Sequence, residues 1–151
     1  MSLHLLTRRL IPVSTIASRG FRPYTSKTFS ISELSDSTYH RLSESTLQHL
    51  TEYFENLGEK TDFPGYDIEY ASGVLTLKVP VGTYVINKQP PNKQIWLSSP
   101  LSGPKRYDFD LAHACWFYHR DHTTLDELLN RELSDALKLK VDVFENFAPE
   151  S

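Results

Sequence analysis

The chain has 151 residues, 39% of them hydrophobic, and its 16 basic and 19 acidic residues give a net charge of −3. This length predicts one domain with a modest core. Five of the basic residues and none of the acidic ones lie in the first 32 positions, so residues 33–151 carry 11 basic against 19 acidic residues, a net charge of −8. Nucleic-acid binding depends on Lys and Arg side chains that neutralise phosphates, so we expect no nucleic-acid partner.

The first 32 residues are basic, rich in Ser and Thr, and interspersed with Leu and Ile. This composition is typical of a mitochondrial transit peptide, whereas a disordered basic tail is the alternative interpretation. We predict a transit peptide over residues 1–32, cleaved between Arg19 and Ser32, and a folded domain over residues 33–151. No apolar stretch approaches the length of a membrane span, so we expect no membrane association.

The rest of the chain predicts a helix, a series of short strands and a second helix. Apolar residues recur at three- to five-residue spacing from Ser37 to Lys60, which indicates a helix. Six alternating runs bounded by Gly, Pro, Ser or Asp follow, as in antiparallel strands. Thr124 and Glu127 make the capping box of the second helix, and the tail after it is expected to pack on the core. We therefore predict an α+β two-layer sandwich, with both helices on one face of an antiparallel sheet of five to seven strands.

The segment YVINKQPPNKQIWLSS, residues 84–99, predicts a β-hairpin that turns at two prolines. If the prolines are central, the expected pairs are Asn87 with Gln94, Ile86 with Ile95, Val85 with Trp96, and Tyr84 with Leu97. The inward face then holds Tyr84, Ile86, Ile95 and Leu97, and later Tyr107 and Phe109. The outward face holds Val85, Asn87, Gln94, Trp96 and Arg106.

This outward face has the composition of a protein-binding surface. Trp and Arg side chains among amides are enriched at interfaces and at their energetic hot spots. The alternative is a Trp that is partly buried by its cross-strand neighbours.

A polar, mostly acidic row lies opposite the apolar stripe of the first helix. Its members are spaced three or four residues apart, which makes them neighbours on one helix face: Arg41, Glu44, Gln48, Glu52, Glu55 and Glu59. Asp62, Asp67 and Glu69 extend the row. Carboxylates are hard oxygen ligands for divalent cations, but no His is interleaved at ligand spacing, so we expect any metal binding to be weak and spread over several sites. The alternative is an ordinary solvated face.

His113, Cys115 and His119 alternate along a predicted strand and suggest a zinc or copper site. A structural zinc site needs four converging ligands, usually from two elements, and ligands spread along one strand diverge. We therefore favour a structural role for these residues. The same geometry argues against a Cys–His nucleophile, and the sequence contains no motif typical of an enzyme.

The segment GTYVINKQPPNKQIWLSSPLSGPKRYD, residues 82–108, is followed by Trp116 and the helix LDELLNREL. Together these stretches resemble the frataxin family of mitochondrial iron–sulfur cluster assembly proteins, in particular its fungal type. The resemblance extends from Tyr39 to Leu137. It implies a two-layer sandwich in the mitochondrial matrix that docks on a complex of cysteine desulfurase and iron–sulfur scaffold protein, promotes sulfur transfer, and binds Fe(II) weakly at its surface.

The resemblance also assigns residues to these roles. It implies partner binding at Asn87, Gln89, Trp96 and Arg106, with Gln94 on the same face. It implies iron binding by an acidic ridge of Glu44, Glu52, Glu55, Glu59, Asp67 and Glu69. His40 and His49 flank this ridge and are further candidate ligands. Fungal relatives carry more acids there, which favours a non-enzymatic activator and iron carrier, monomeric or assembled by iron. The alternative function is a ferroxidase and iron store that oxidises and holds iron in oligomers.

Overall fold

The computed structural model describes residues 27–150. In chain order the elements are α1 (Asp36–Lys60), β1 (Asp67–Ala71), β2 (Val74–Val79), β3 (Gly82–Gln89), β4 (Gln94–Ser99), β5 (Gly103–Asp110), β6 (Cys115–Tyr118) and α2 (Leu125–Leu137). The strands form one antiparallel sheet in the order β1 to β6. Both helices pack on the same sheet face, so the predicted α+β sandwich is confirmed. Neither helix in this range is long and apolar enough to cross a membrane.

Helix α1 begins where Ser35 caps it, because the Ser35 hydroxyl accepts a hydrogen bond from the Thr38 amide at 3.1 Å. Its buried stripe consists of Tyr39, Leu42, Leu47, Leu50 and Phe54. Each fully buried large apolar side chain stabilises the fold by roughly 1.5–3 kcal/mol. The buried Thr46 hydroxyl bonds back to the Leu42 carbonyl at 2.7 Å and accepts the Trp116 indole N–H at 3.0 Å, which ties α1 to β6.

Helix α2 begins with the predicted capping box. The Thr124 amide donates to the Glu127 carboxylate at 2.9 Å, and the Glu127 amide donates to the Thr124 hydroxyl at 3.4 Å. After the helix, Val141 and Val143 are buried in the core and Phe144 packs against it. The predicted packing of the tail is therefore confirmed.

The predicted register of the β3–β4 hairpin is wrong by two residues. Asn87 pairs with Trp96, Ile86 with Leu97, and Val85 with Ser98. The reason is the turn: a short 3₁₀ segment, Pro90–Asn92, is followed by Lys93 in the left-handed region at φ 51°, so the centre of the loop lies one residue later than the two prolines. A two-residue shift keeps every side chain on its predicted face.

Tyr84, Ile86, Ile95, Leu97, Tyr107 and Phe109 are accordingly all buried under the helices. The outward-facing residues of β3 and β4 keep partial or full exposure. The assignment of the two faces is thus confirmed although the pairing is not.

A strap formed by residues 29–34 covers one end of the outward sheet face. Its backbone amides donate to the Asp110 carboxylate from Ser30 at 2.9 Å and to the Phe109 carbonyl from Ser32 at 2.9 Å. Phe29 lies against Phe117 with ring centroids 5.4 Å apart. Phe117 is 1% exposed although it points away from the helices. The outward face is therefore open from β1 to β4 and over the first half of β5, and it is closed over Asp108, Asp110 and β6.

Candidate docking face and acidic ridge

The register places the predicted partner-binding residues in a compact group, here called the Trp96 cluster: Asn87, Gln89, Gln94, Trp96 and Arg106. Asn87, Trp96 and Arg106 are direct cross-strand neighbours on β3, β4 and β5. Gln89 and Gln94 form the adjacent pair towards the turn. The structure therefore brings all five residues together on the sheet face that lacks helices.

The indole of Trp96 is held on two sides. The guanidinium carbon of Arg106 lies 4.4 Å from the centroid of the Trp96 ring, a cation–π contact worth roughly 0.5–1 kcal/mol at a surface. The indole N–H donates to the Gln94 side-chain oxygen at 2.9 Å. Trp96 is consequently half-buried by its neighbours and still accessible. Its partial burial by cross-strand neighbours is therefore as the alternative interpretation expects, and its role in binding a partner stays a prediction.

Asp108 completes this arrangement and was missed by the sequence analysis. The Gln94 side-chain amide donates to Asp108 at 2.9 Å, and Asp108 is only 6% exposed. The signal for it was present in the strand alternation, because Asp108 follows Arg106 by two residues and must share its face.

The exposed part of the acidic ridge carries free charge. Glu52, Glu55 and Glu59 on α1 and Asp67 and Glu69 on β1 are exposed. None of the five forms an ion pair with another residue in the range 27–150. In the same range, no three His, Cys, Asp or Glu side chains converge to hold a metal ion.

Glu44 differs from the other ridge residues because its carboxylate is already engaged. It forms an ion pair with Lys88 at 3.0 Å and accepts the Tyr70 hydroxyl at 3.0 Å and the Gln48 amide at 3.1 Å. Burial opposes ionisation, but the hydrogen bonds from Lys88 and Tyr70 outweigh it and lower the pKa of Glu44. The side chain of Lys88 is 15% exposed, so Glu44 neutralises a largely buried cation.

The two flanking histidines have different environments. His40 is exposed on α1. The Nε2 atom of His49 lies 2.7 Å from the Val143 carbonyl, and its ring stacks on Phe147 at 3.9 Å between centroids. Only the Nδ1 atom of His49 is thus left for a metal, and the residue mainly joins the C-terminal segment to α1.

The residues of the suspected zinc or copper site do not converge. His113 is a partner of Asp110 at 2.9 Å, and Cys115 begins β6. Burial, together with the nearby acidic groups, raises the pKa of the Cys115 thiol to about 12. The thiol therefore stays protonated at neutral pH and is a poor nucleophile.

These features define a class of protein: a two-layer α+β sandwich with an open sheet face centred on a tryptophan and an acidic first helix. Residues 32–139 match the family model described as a frataxin-like domain. The mitochondrial frataxin of Caenorhabditis elegans is 47% identical over 132 residues, which cover 83% of this chain and 91% of that protein. The mitochondrial frataxin of Arabidopsis thaliana is 46% identical over 105 residues, 69% of this chain but 56% of that protein.

A solved structure agrees with these matches. Trimeric frataxin from the yeast Saccharomyces cerevisiae, complexed with ferrous iron, is 43% identical and aligns with a TM-score of 0.58 over 71% of this chain and 91% of that one. The chain belongs to the frataxin family. Its relatives are mitochondrial proteins, and the mitochondrion is the compartment of this protein as well.

Proposed function

We propose that this protein docks through the Trp96 cluster on the complex of cysteine desulfurase and iron–sulfur scaffold in the mitochondrial matrix, promotes sulfur transfer there, and delivers Fe(II) carried on its acidic ridge. The observation that carries the proposal is the Trp96 indole, accessible on the open sheet face and held beneath Arg106. A soluble fold gains little from a Trp at such a position unless a partner covers it, and Trp and Arg dominate the energetics of interfaces.

The iron-carrying part of the proposal depends on the exposed carboxylates of α1 and β1. Five unpaired acids attract divalent cations, but without convergence they bind weakly and release easily. Glu44 contributes less than the sequence analysis expected, because Lys88 neutralises it. Asp67 is flanked across the sheet by Lys78, which leaves Glu69 and the three neighbours on α1, Glu52, Glu55 and Glu59, as the strongest candidates. The ferrous iron bound to the yeast relative supports this cargo.

Reconstituted cluster synthesis tests the proposal. The reaction contains the desulfurase, the scaffold, cysteine, a reductant and Fe(II), with and without residues 27–151 of this protein. We expect faster cluster formation with the protein and no stimulation by the Trp96→Ala variant. Equal rates in all three reactions would contradict the proposed function.

A second candidate function is that of a ferroxidase and iron store. The trimeric state of the iron-complexed yeast relative favours it. A two-iron oxidation site needs carboxylates and His that bridge metals about 3.5–4 Å apart, and residues 27–150 present no such group. The rate of Fe(II) oxidation at stoichiometric iron, measured against autoxidation in buffer, separates the two functions. Oxidation above the buffer rate, together with assembly into oligomers, would favour the store.

We propose in addition that the mature domain begins before Phe29 rather than at residue 33. The predicted transit peptide falls mostly on residues 1–26, outside the described part of the chain, but its last residues include part of the strap. The strap buries Phe117 and engages Asp110. We therefore expect a chain that starts at residue 33 to melt several degrees below one that starts at residue 27; equal melting temperatures would restore the later boundary.

A further inference from the structure

Three side chains of the outward sheet face form a continuous hydrogen-bonded relay. The Trp96 Nε1 atom donates to the Gln94 Oε1 atom at 2.9 Å, and the Gln94 Nε2 atom donates to the Asp108 Oδ1 atom at 2.9 Å. The relay begins at an accessible indole and ends at a carboxylate that is 6% exposed. It therefore links the surface of the sheet to a buried charge.

The chemistry of the three groups gives the relay one direction. An indole N–H can only donate, and an ionised carboxylate can only accept. The amide of Gln94 must therefore present its oxygen to Trp96 and its nitrogen to Asp108. If Asp108 were replaced by an apolar residue, the amide could rotate by 180° or leave the sheet, and the indole would lose its fixed acceptor.

The strands bring the three residues together without strain. Gln94 and Trp96 are two residues apart on β4, so they share a face. Asp108 lies on the same face of β5, two residues beyond Arg106, which is the direct cross-strand partner of Trp96. Arg106 covers the indole ring at 4.4 Å while Gln94 holds its edge. Ring and edge are thus fixed by different residues.

Packing of the hydrophobic core does not explain why Asp108 is buried. It points away from the helices and faces Phe117 across the sheet. Burying a carboxylate costs free energy unless hydrogen bonds replace its water, and the described side-chain partner of Asp108 is Gln94. A neutral residue at this position would avoid that cost if stability alone mattered.

We infer that Asp108 is a positioning residue for docking: through Gln94 it holds the Trp96 indole in the orientation that the partner meets. This inference rests on the proposed function. A side chain that is already ordered loses less rotamer freedom on binding, so preorganisation strengthens association without any new contact. Asp108 acts through Gln94, and its effect on affinity arises from the orientation of the Trp96 indole.

The two indole N–H signals in a ¹H–¹⁵N NMR spectrum test the first half of the inference. Trp116 is buried and donates to Thr46 at 3.0 Å, so its signal is an internal reference for the fold. In Asp108→Ala we expect the Trp96 signal to shift and its hydrogen exchange to quicken three- to tenfold, while the Trp116 signal stays unchanged. Asp108→Asn should restore most of the wild-type behaviour, because an Asn oxygen can still accept from Gln94.

Asp110 provides the matched control. It is also a buried carboxylate on the same face of β5, but it binds His113 and the strap instead of Gln94. Asp110→Ala should leave the Trp96 signal in place. If Asp108→Ala and Asp110→Ala had the same effect on Trp96, the inference would fail, because a general loosening of β5 would explain both.

Affinity for the desulfurase–scaffold complex tests the second half. We expect Asp108→Ala to weaken binding three- to tenfold and Asp108→Asn to bind close to wild type. An altered Trp96 signal with wild-type affinity in Asp108→Ala would overturn the docking role of Asp108. Wild-type affinity in Trp96→Ala would instead overturn the proposed function. The NMR result that Asp108 orients the indole would still stand, so the two failures are distinct. If Asp108→Ala loses the Trp116 signal, Asp108→Leu, which fills more of the space and also cannot accept from Gln94, gives the same two measurements.

Discussion

The Trp96 cluster and the acidic ridge are the two surfaces to which a function can be assigned, and they differ in how their side chains are held. In the cluster, Trp96 has a ring contact with Arg106 and an edge contact with Gln94. In the ridge, Glu52, Glu55 and Glu59 are exposed and make no ion pair with any residue of the described range. The side chains of one surface are held by their neighbours before it meets a ligand, whereas those of the other have no ion-pair partner in the described range.

This difference suits two kinds of ligand. A protein partner presents a fixed shape, so an ordered surface lowers the entropy lost on association. A hydrated cation carries its own water ligands and needs charge more than shape, so exposed carboxylates without a fixed arrangement are sufficient. Glu44 lies between the two cases: it belongs to the ridge by position, but Lys88 and Tyr70 hold it as firmly as Gln94 holds Trp96.

The largest expected effect is at the centre of the ordered surface. Trp96→Ala should weaken binding to the desulfurase–scaffold complex by about 2 kcal/mol or more, the size of a hot-spot loss, as measured by calorimetry. Its melting temperature should fall only modestly, because Trp96 is partly accessible on the open sheet face and lies outside the hydrophobic core. Leu101→Ala, an exposed apolar residue outside the cluster, is the control and should bind normally. A Trp96 variant that binds normally but melts far below wild type would reverse our assignment.

The next effect concerns the ridge and metals. Fe(II), Mn(II) or Co(II) at ten times the dissociation constant should stabilise the fold by about 1.4 kcal/mol, because the cation binds only the folded state. The variant Glu52→Gln/Glu55→Gln/Glu59→Gln should lose most of this rise in melting temperature. It should also melt slightly higher without metal, since like charges at this spacing repel.

The control for the metal series removes three exposed acids elsewhere: Glu33→Gln/Asp135→Asn/Glu145→Gln. It should keep the metal response. If His113→Ala/Cys115→Ser lost the response instead, the ridge would be only a solvated face and the ligands would lie elsewhere. Equal loss in the ridge variant and in the control would mean that net charge alone attracts the cation.

A smaller effect is expected at Glu44, where the ridge is structural. Glu44→Gln should destabilise the fold by on the order of 1 kcal/mol, because it leaves the largely buried Lys88 without its counter-charge. The expected loss is no larger because Glu44 is partly exposed and solvent screens the ion pair. Urea unfolding measures it, and Glu55→Gln, which loses no partner, is the control. The response to metal should persist in Glu44→Gln, and loss of that response would return Glu44 to the iron ligands.

The effect of Glu44 also depends on pH. Its pKa is lowered in the folded state, so its contribution is present above the unfolded-state value of about 4.3 and is lost as pH falls through the lower folded-state value. Wild type and Glu44→Gln should therefore differ in stability at pH 7 and converge below pH 4. A difference that stays constant down to pH 3 would show that the ion pair is not its source.

The smallest effect is kinetic. If the ridge also meets a basic surface of the partner, Glu52→Lys/Glu55→Lys should lower the association rate about threefold at low salt and leave the dissociation rate nearly unchanged. Raising the salt should remove this difference, because exposed charges are screened over about 8–10 Å. Stopped-flow measurements at two ionic strengths are sufficient. Rates that do not depend on salt would confine docking to the Trp96 cluster.

The layers and faces of the fold could be predicted from the sequence because they depend on the period at which apolar residues recur. The stripe of α1, the capping box at Thr124 and the alternation along β4 each specify which side chains turn inward. The hairpin register could not be predicted, because it depends on whether Lys93 adopts a left-handed conformation after two prolines. One residue in the turn moved every pair, and alternation alone does not detect an even shift.

The candidate site was predictable to the same extent as the fold: the sequence indicated which residues share a face but not which contacts they make. The alternation placed Trp96 and Arg106 on one face, and the helical spacing placed the acids in one row. The engagement of Glu44 by Lys88 was not predictable, because these residues are 44 positions apart and meet only when α1 packs on β3. The strap escaped prediction for a related reason: its first residues, Phe29 to Ser32, continue the acid-free, Ser-rich composition of the N-terminus, and its partners Asp110 and Phe117 lie far along the chain.

The strap also constrains the order in which the fold is completed. Ser30 bonds to a residue 80 positions away, and Phe29 bonds to His122, 93 positions away. Contacts of such long range close late, since their loop entropy must be overcome before they add stability. On a ribosome or in a translocation pore, residues 29–34 appear early but have no partner until β5 and β6 have emerged. The strap, which overlaps the end of the predicted targeting signal, therefore lacks its partners through most of biogenesis, and its docking is a final step that seals the finished domain.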